Sequence, residues 1–388
     1  MECCEVLSPH ETRLEEERQG RAAKYEKGRE RVFRVMKGFQ MQRPKIDVER
    51  AKYFTESMKQ TEGEHLTLRW AKALKHIAEH ITVYIDDHQL IVGRSGKQGR
   101  YGILYPELDG DFLDLAVQQL SQRTQSPFDI APEDARIVVD EIAPYWKGKT
   151  FHEALSKALP HDTLKRTCDP QNQLMSRYIV NETASFRSCL QWVHDYEKGL
   201  KKGFKRMKEE ALERLQSLDP FSPVDNVEKK PFLEAVVILC DAIVIWAKRH
   251  SRLAAEMAAR EKTPQRKAEL LEIARICDKV PEHPAATFRE AAQSQWFVQM
   301  FSRIESKTGT IISNGRMDQY FYPFFKKDMD EGRLTEEQAI ELLECMWVAM
   351  AQFIDLYISP AGGAINEGYA HWEAVTIGGQ TKDGRDAT

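Results

Sequence analysis

The spacing of apolar residues predicts a chain that is mostly helical. Over residues 1–65, acidic and basic residues recur as neighbours at helical spacing, which is typical of solvent-exposed helices, so we predict a helical extension there. From residue 66, LTLRWAKALKHIAEHI repeats its apolar residues at the period of an amphipathic helix. Helical patterns dominate again over 196–304, where stretches with two prolines each interrupt them at 218–226 and 280–288.

Two segments carry the pattern of β-structure instead. ITVYIDDHQLIVG, residues 81–93, predicts a hairpin of two short strands around Asp86, Asp87 and His88. EAVTIGG, residues 373–379, predicts a strand within a glycine-rich end. Because the sequence stops at Thr388, where a turn leads towards another element, we expect the chain to be the N-terminal part of a longer polypeptide.

Composition and charge give no sign of a nucleic-acid or membrane partner. Hydrophobic residues make up 42% and charged residues 30% of the chain, and the formal net charge is -4. Such a balance does not attract phosphate backbones or anionic lipids. The longest apolar run, residues 235–247, is too short to span a bilayer and contains Asp241, so we predict a buried helix. The seven scattered cysteines and the absence of a secretion signal indicate reduced thiols in a cytoplasm.

The stretch FRSCLQWVHDYEKGLKKGF, residues 186–204, contains the strongest candidate binding residues. Arg187 and Gln191 are four residues apart and therefore share one face of a helix. A guanidinium and an amide N–H offer convergent donors to an anion with several oxygens, such as a sulfonate, carboxylate or phosphate. A solvated helix face has the same spacing, and the spacing alone does not decide between these interpretations.

Three further stretches are weaker candidates for a functional site. SNGRMDQYFYPFF, residues 313–325, predicts a loop held by an Arg316–Asp318 ion pair that leads into an aromatic-rich helix. Trp372 precedes the predicted strand and is either a core residue or the lid of a pocket. His76 and His80 have zinc-ligand spacing, but HIAEH is not H-E-x-x-H, so no metal site is predicted.

Five segments together resemble the glycyl radical enzyme superfamily, the group with pyruvate formate-lyase-type domains. In chain order they are DHQLIVGRSG, DYEKGLKKGF, CDKVPEHPAATFREAAQSQWF, GRMDQYFYPFF and AVTIGGQTKDGRDAT. The resemblance implies an α/β fold in which this chain is the mostly helical N-terminal part of a ten-stranded barrel. The helices would lie outside and the barrel would be incomplete at the C-terminus. Residues 1–388 would then form one domain part, with the extension at 1–65 and barrel elements over 66–388.

Within the superfamily, the resemblance implies radical cleavage of the C–S bond of isethionate to acetaldehyde and sulfite. Related diol and glycerol dehydratases carry Gly-His just before the Asp-Tyr-Glu-Lys run, whereas this chain has Leu190 and Gln191. By the same resemblance, Arg187 and Gln191 donate to the sulfonate and Trp372 forms an apolar wall. A diol dehydratase and a choline trimethylamine-lyase are the alternatives, although Arg187 would repel a quaternary ammonium.

The radical machinery that the resemblance implies has no match in these residues. Relatives carry a thiyl cysteine in a Gly-Cys-x-Glu loop and a radical glycine near the C-terminus, and this sequence contains no Gly-Cys pair. We therefore assign no catalytic residue and no bound cofactor to this chain. The resemblance implies a glycyl radical in a further C-terminal part, installed by an AdoMet-dependent iron–sulfur activase. It also implies a homodimer in an anaerobic cytoplasm, or in a bacterial microcompartment. A catalytically inactive fragment is the remaining alternative.

Overall fold

Helices form most of the part of the chain that the structure, a computed structural model, describes. That part comprises residues 26–40, 42–94, 96, 100–109, 113–124, 126–158, 193–306, 313–351, 354, 356 and 374–387. The α-helices are α1 (Glu26–Gln40), α2 (Glu49–Gln60), α3 (Leu66–His80), α4 (Pro106–Asp109), α5 (Leu113–Gln119), α6 (Pro132–Ile137), α7 (Ala143–Trp146), α8 (Phe151–Ala158), α9 (Tyr196–Gln216), α10 (Lys230–Arg260), α11 (Pro264–Lys279), α12 (Phe288–Glu305), α13 (Met317–Asp330) and α14 (Glu336–Ala351). Within this part, no helix combines the length and apolarity that crossing a bilayer requires.

The described strands are short and pair in parallel. They are β1 (Lys45–Asp47), β2 (Tyr101–Ile103), β3 (Gly315–Arg316) and β4 (Val375–Thr376). β1 pairs with β2, and β3 pairs with β4 with Gly315 opposite Val375. Parallel strands require long crossover connections, which here contain the helices, so the arrangement is of the α/β type. The strand predicted around EAVTIGG is confirmed at β4.

The 31-residue helix α10 organises the core. It packs against α3, α9 and α11. The apolar run predicted to be a buried helix lies in its first half, where the side chains of Ala242 and Trp246 are fully buried. Burying one large apolar side chain contributes about 1.5–3 kcal/mol. The predicted helix breaks at the two proline-rich stretches are also confirmed, because α9 ends before the first and α11 before the second.

The predicted hairpin over residues 81–93 is wrong, because this segment contains no strand. Its backbone groups bind side chains of α12 rather than a partner strand. The Gln293 amide accepts a hydrogen bond from Val92 N at 2.9 Å and donates to Val92 O at 2.7 Å. The indole N–H of Trp296 donates to Gly93 O at 2.8 Å. Side chains from a distant helix thus satisfy the groups that a strand ladder would otherwise use.

A buried ion pair ties the first helices to the end of α12. Arg50, which is 0% exposed, forms two 2.7 Å contacts with the Glu107 carboxylate. Its guanidinium also donates to the carbonyls of Ile304 and Glu305, where α12 ends. A cation is favourable at a helix C-terminus because the last carbonyls lack partners within the helix. The predicted division between residues 65 and 66 stays a prediction.

Candidate functional site

The predicted substrate-binding residues Arg187, Gln191 and Trp372 all lie outside the described residues. The described residues that follow them, however, meet at one small sheet. Val193 forms a parallel bridge with Ser313. Asn314, the next residue, donates its backbone N–H to the carbonyl of Ala374 at 3.0 Å. The three chain segments around the predicted site therefore converge just before and along β3, and we call this region the β3–β4 sheet.

The fit of Val193 against this sheet requires glycine at position 315. The backbone of Gly315 has φ of +62°, a region that favours glycine. A Cβ atom there would lie 2.7 Å from Cγ1 of Val193, well inside van der Waals contact. The glycine of the GRMD sequence thus allows the segment after Gln191 to approach the sheet closely.

Asn314 fixes the sheet to three helices. Its side chain is fully buried, and its Oδ1 accepts a 2.7 Å hydrogen bond from Gln295 of α12. Its Nδ2 lies 3.1 Å from Sδ of Met350 on α14, and its carbonyl accepts a 3.0 Å bond from the hydroxyl of Tyr320 on α13. Sequence reasoning missed this role, although the Asn-Gly pair at 314–315 was a visible turn signal.

Two buried glutamines extend this network along α12. Gln295 also donates to Oε1 of Gln299 at 3.1 Å, and both side chains are almost completely buried. Within the described residues, Oε1 of Gln295 and Nε2 of Gln299 have no hydrogen-bond partner. One acceptor and one donor therefore remain available beside the sheet, and leaving both unsatisfied would cost about 1–3 kcal/mol each.

Arg316 and Asp318 do not form the predicted ion pair in the described part of the chain. The Arg316 guanidinium instead donates to Gln380 O at 2.6 Å, and the Asp318 carboxylate accepts from Gly378 N at 2.7 Å. Both partners belong to the turn after β4, whose backbone groups need partners because the strand ends there. The GRMD sequence thus anchors the chain that follows Trp372.

The Asp-Tyr-Glu-Lys run is the beginning of α9. Asp195 caps the helix by accepting a 3.1 Å bond from the backbone N–H of Lys198. Glu197 lies in the first turn, where a negative charge is favourable. Hydrogen bonds from Lys201 and then Lys382 lower the pKa of Glu197 to about 2. The Lys382 contact, at 2.8 Å, joins this helix start to the turn after β4.

A cavity of about 320 Å³ lies behind the first residues of α9. Its lining is mostly apolar and includes Phe204, Ile243 and Phe301. At its polar end, Nε2 of His194 lies 2.6 Å from Oγ of Ser302, which donates its own hydrogen to Val298 O. Burial lowers the pKa of His194 to about 4, so the imidazole is neutral at physiological pH. This lining suits an apolar group and does not match a sulfonate.

The described cysteines are poorly suited to act as nucleophiles. Cys240, Cys277 and Cys345 are all buried and unbridged. Burial raises the pKa of each thiol, to about 11 for Cys240. Thiolates are disfavoured where water is excluded, so these thiols are weak nucleophiles and pack as core side chains.

Within the described residues, one group of side chains can bring three metal-ligand atoms together. It consists of His76, Glu79 and His80 on α3, whose ligand atoms lie within 4.8 Å of one another. This group belongs to the α2–α3 helix pair rather than to the β3–β4 sheet.

Comparison with known proteins gives matches along almost the whole chain. The family described as pyruvate formate lyase-like matches residues 25–388. The isethionate sulfite-lyase of Nitratidesulfovibrio vulgaris is 69% identical over 388 residues, which are 100% of this chain and 47% of that protein. The glycerol-bound structure of the B12-independent glycerol dehydratase from Clostridium butyricum has a TM-score of 0.85 and 32% identity, covering 92% of this chain and 44% of that one. A glycyl radical enzyme from Archaeoglobus fulgidus has a TM-score of 0.82 and 35% identity over the same shares, 92% and 44%.

These matches confirm the superfamily and the fold class that the sequence predicted. The structural neighbours are glycyl radical enzymes, and the outer helices with short parallel strands correspond to part of their α/β barrel. The chain spans about half the length of the curated relatives it matches, 47% in the case above. With a family match from residue 25 to residue 388, the chain belongs to the pyruvate formate lyase-like family.

Proposed function

We propose that this chain is the N-terminal part of a glycyl radical lyase that cleaves the C–S bond of isethionate, giving acetaldehyde and sulfite. The observation that carries the proposal is the 69% identity to an isethionate sulfite-lyase, which extends over all 388 residues. Identity to the glycerol dehydratase, by contrast, is 32%. The fold is common to both activities, so the much higher identity favours C–S cleavage over dehydration.

In this proposal, Arg187 and Gln191 donate hydrogen bonds to the sulfonate oxygens, and Trp372 forms an apolar wall. A sulfonate stays anionic at cellular pH, and a buried anion needs several fixed donors to replace its lost water. Gln191 precedes Val193 by two residues, and Trp372 precedes Ala374 by two. Two residues of chain span at most about 7 Å, and Val193 and Ala374 contact the adjacent residues Ser313 and Asn314, which lead into β3. This proximity supports a common pocket.

The remaining chemistry belongs to residues and partners beyond this chain. A glycyl radical installed by an AdoMet-dependent iron–sulfur activase supplies hydrogen-atom abstraction. The residues of this chain bind the sulfonate, orient the hydroxyl-bearing carbon and exclude water. We further propose a homodimer in the cytoplasm of an anaerobe, or within a microcompartment.

The test measures products of the full-length protein after anaerobic activation. Sulfite and acetaldehyde should form from isethionate, and no aldehyde should form from glycerol or 1,2-propanediol. Arg187→Ala should abolish sulfite release while the glycyl radical signal in electron paramagnetic resonance is unchanged. Arg214→Ala, an exposed arginine on α9, is the matched control and should retain activity.

Two results would contradict the proposal in different ways. Undiminished sulfite release by activated Arg187→Ala would exclude the sulfonate role of that residue but not the activity. Aldehyde from a diol, trimethylamine from choline, or no sulfite from isethionate would exclude the activity itself. A reading frame without a Gly-Cys-x-Glu loop beyond codon 388 would favour the inactive fragment.

A further inference from the structure

The last turn of α3 presents two imidazoles and a carboxylate on one side of the helix. His76, Glu79 and His80 occupy positions i, i+3 and i+4, which are neighbours on a helix surface. Each offers one ligand atom, and these atoms all lie within 4.8 Å of one another. The sequence H-x-x-E-H reverses the order of the H-E-x-x-H metal motif and likewise puts two histidines at i and i+4.

The two imidazoles are already oriented by the surrounding residues. Nδ1 of His80 donates to the backbone carbonyl of His76 at 2.8 Å, which leaves Nε2 of His80 without the proton and able to bind a metal. The ring of Tyr53, on α2, packs against both histidines with centroid distances of 5.8 and 5.5 Å. Hydrogen bonding of one ring nitrogen to a carbonyl is the usual way in which proteins fix a metal-binding histidine.

A second carboxylate approaches from the neighbouring helix. Oε2 of Glu56, on α2, lies 3.1 Å from Nε2 of His76. This distance is close to the separation of two ligands on one tetrahedral zinc ion, which follows from bonds of about 2.0–2.1 Å. Both Glu79 and Glu56 are partly exposed, and the only cation paired with Glu79 among the described residues is Lys75, at 3.9 Å. That long contact gives little resistance to a competing metal ion.

We propose that His76, Glu79 and His80 bind a divalent transition-metal ion of the zinc class, with Glu56 as the fourth protein ligand. Imidazole and carboxylate ligands suit Zn²⁺, and two ligand atoms on one tetrahedral zinc ion lie about 3.4 Å apart. Side-chain rotations at this partly exposed site can bring ligand atoms that now lie within 4.8 Å of one another to that separation. The ion joins α2 to α3 and therefore stabilises this helix pair. The site does not depend on the proposed lyase activity.

Zinc titration of the full-length protein without a polyhistidine tag tests the site. Isothermal titration calorimetry measures zinc binding by the wild type, by His80→Asn and by a control variant, His283→Asn. The control removes an exposed histidine from the loop between α11 and α12. Losing a ligand should weaken zinc binding by more than about tenfold. The wild type and His283→Asn should therefore bind one more zinc ion at low micromolar zinc than His80→Asn does.

Thermal unfolding gives a second readout. Added zinc should raise the Tm of the wild type and of His283→Asn but not that of His80→Asn, because a ligand that binds only the folded state stabilises it. Without metal, the three proteins should unfold at the same temperature, which shows that His80→Asn is folded. Glu56→Gln should weaken zinc binding only if α2 contributes a ligand. Equal zinc stoichiometry and affinity in wild type and His80→Asn, or no zinc binding by the wild type, would overturn the proposal.

Discussion

Replacing Gly203 with alanine should destabilise the fold strongly, although the residue lies within helix α9. Its backbone has φ of 70° and ψ of 160°, so the helix is kinked there. This region is essentially restricted to glycine. The kink exposes two backbone N–H groups, those of Phe204 and Lys205, which donate to the carbonyls of Pro281 and Glu282 at 2.9 Å. The loop between α11 and α12 therefore lies directly against Gly203.

The structure gives the size of the effect. A Cβ on residue 203 would lie 2.5 Å from the carbonyl oxygen of Glu282 and 2.7 Å from the carbonyl carbon of His283. Both are backbone atoms, which do not move aside as a flexible side chain would. Backbone strain of this kind costs about 1–3 kcal/mol, and overpacking costs about 1–3 kcal/mol more. The unfolded alanine variant has less conformational entropy than the unfolded wild type, which offsets this destabilisation by under about 1 kcal/mol.

Gly199 provides a matched control within the same helix. It lies in the first turn of α9, and a Cβ there would have no atom within 4 Å. Gly199→Ala should therefore stabilise the protein by about 0.5–1 kcal/mol, the usual helix-interior difference. Urea unfolding followed by circular dichroism should place the midpoint of Gly203→Ala well below the wild type and that of Gly199→Ala at or above it. Equal midpoints for the two variants would refute the reasoning.

Three further predictions rest on other contacts. Glu107→Gln should lower the free energy of unfolding by about 3–5 kcal/mol in urea titrations, because it leaves the Arg50 charge buried without its counter-ion. Burial lowers the pKa of His250 to about 4, below its unfolded value near 6.5. The unfolded state therefore binds the proton more tightly, and stability should fall as pH drops from about 6.5 to 4, by up to about 3 kcal/mol, with a smaller loss in His250→Phe. Asp318→Ala should increase hydrogen exchange at the Gly378 amide, which loses its carboxylate acceptor.

The sequence predicted the helices well because their signals are local. Apolar periodicity identified α3, a continuous apolar run identified part of α10, and paired prolines marked the breaks at 218–226 and 280–288. The hairpin prediction failed because the partners of Val92 and Gly93 lie on α12, about two hundred residues away. Local β-propensity describes a preference, whereas pairing depends on which groups the tertiary structure brings near.

At the candidate site, too, features that depend on neighbouring residues were predictable, whereas contacts with distant residues were not. The cap at Asp195 and the need for a glycine at position 315 were within reach of sequence patterns. Arg316 and Asp318 were expected to pair with each other, but their partners lie about sixty residues later, in the turn after β4. Charged residues that are close in sequence compete with distant backbone groups, and only the fold decides that competition.

Helix α12 explains how the β3–β4 sheet is held in place. An apolar side chain would fill its buried positions equally well, yet Gln293, Gln295 and Gln299 are polar. Gln293 binds the segment at Val92, Gln295 binds Asn314 in the sheet, and Ser302 contacts His194 at the start of α9. Apolar packing alone tolerates small shifts, whereas hydrogen bonds with defined geometry do not. The polar residues of α12 therefore contribute less hydrophobic stabilisation than apolar residues would. Their hydrogen bonds instead fix the positions of the chain segments that flank Gln191 and Trp372.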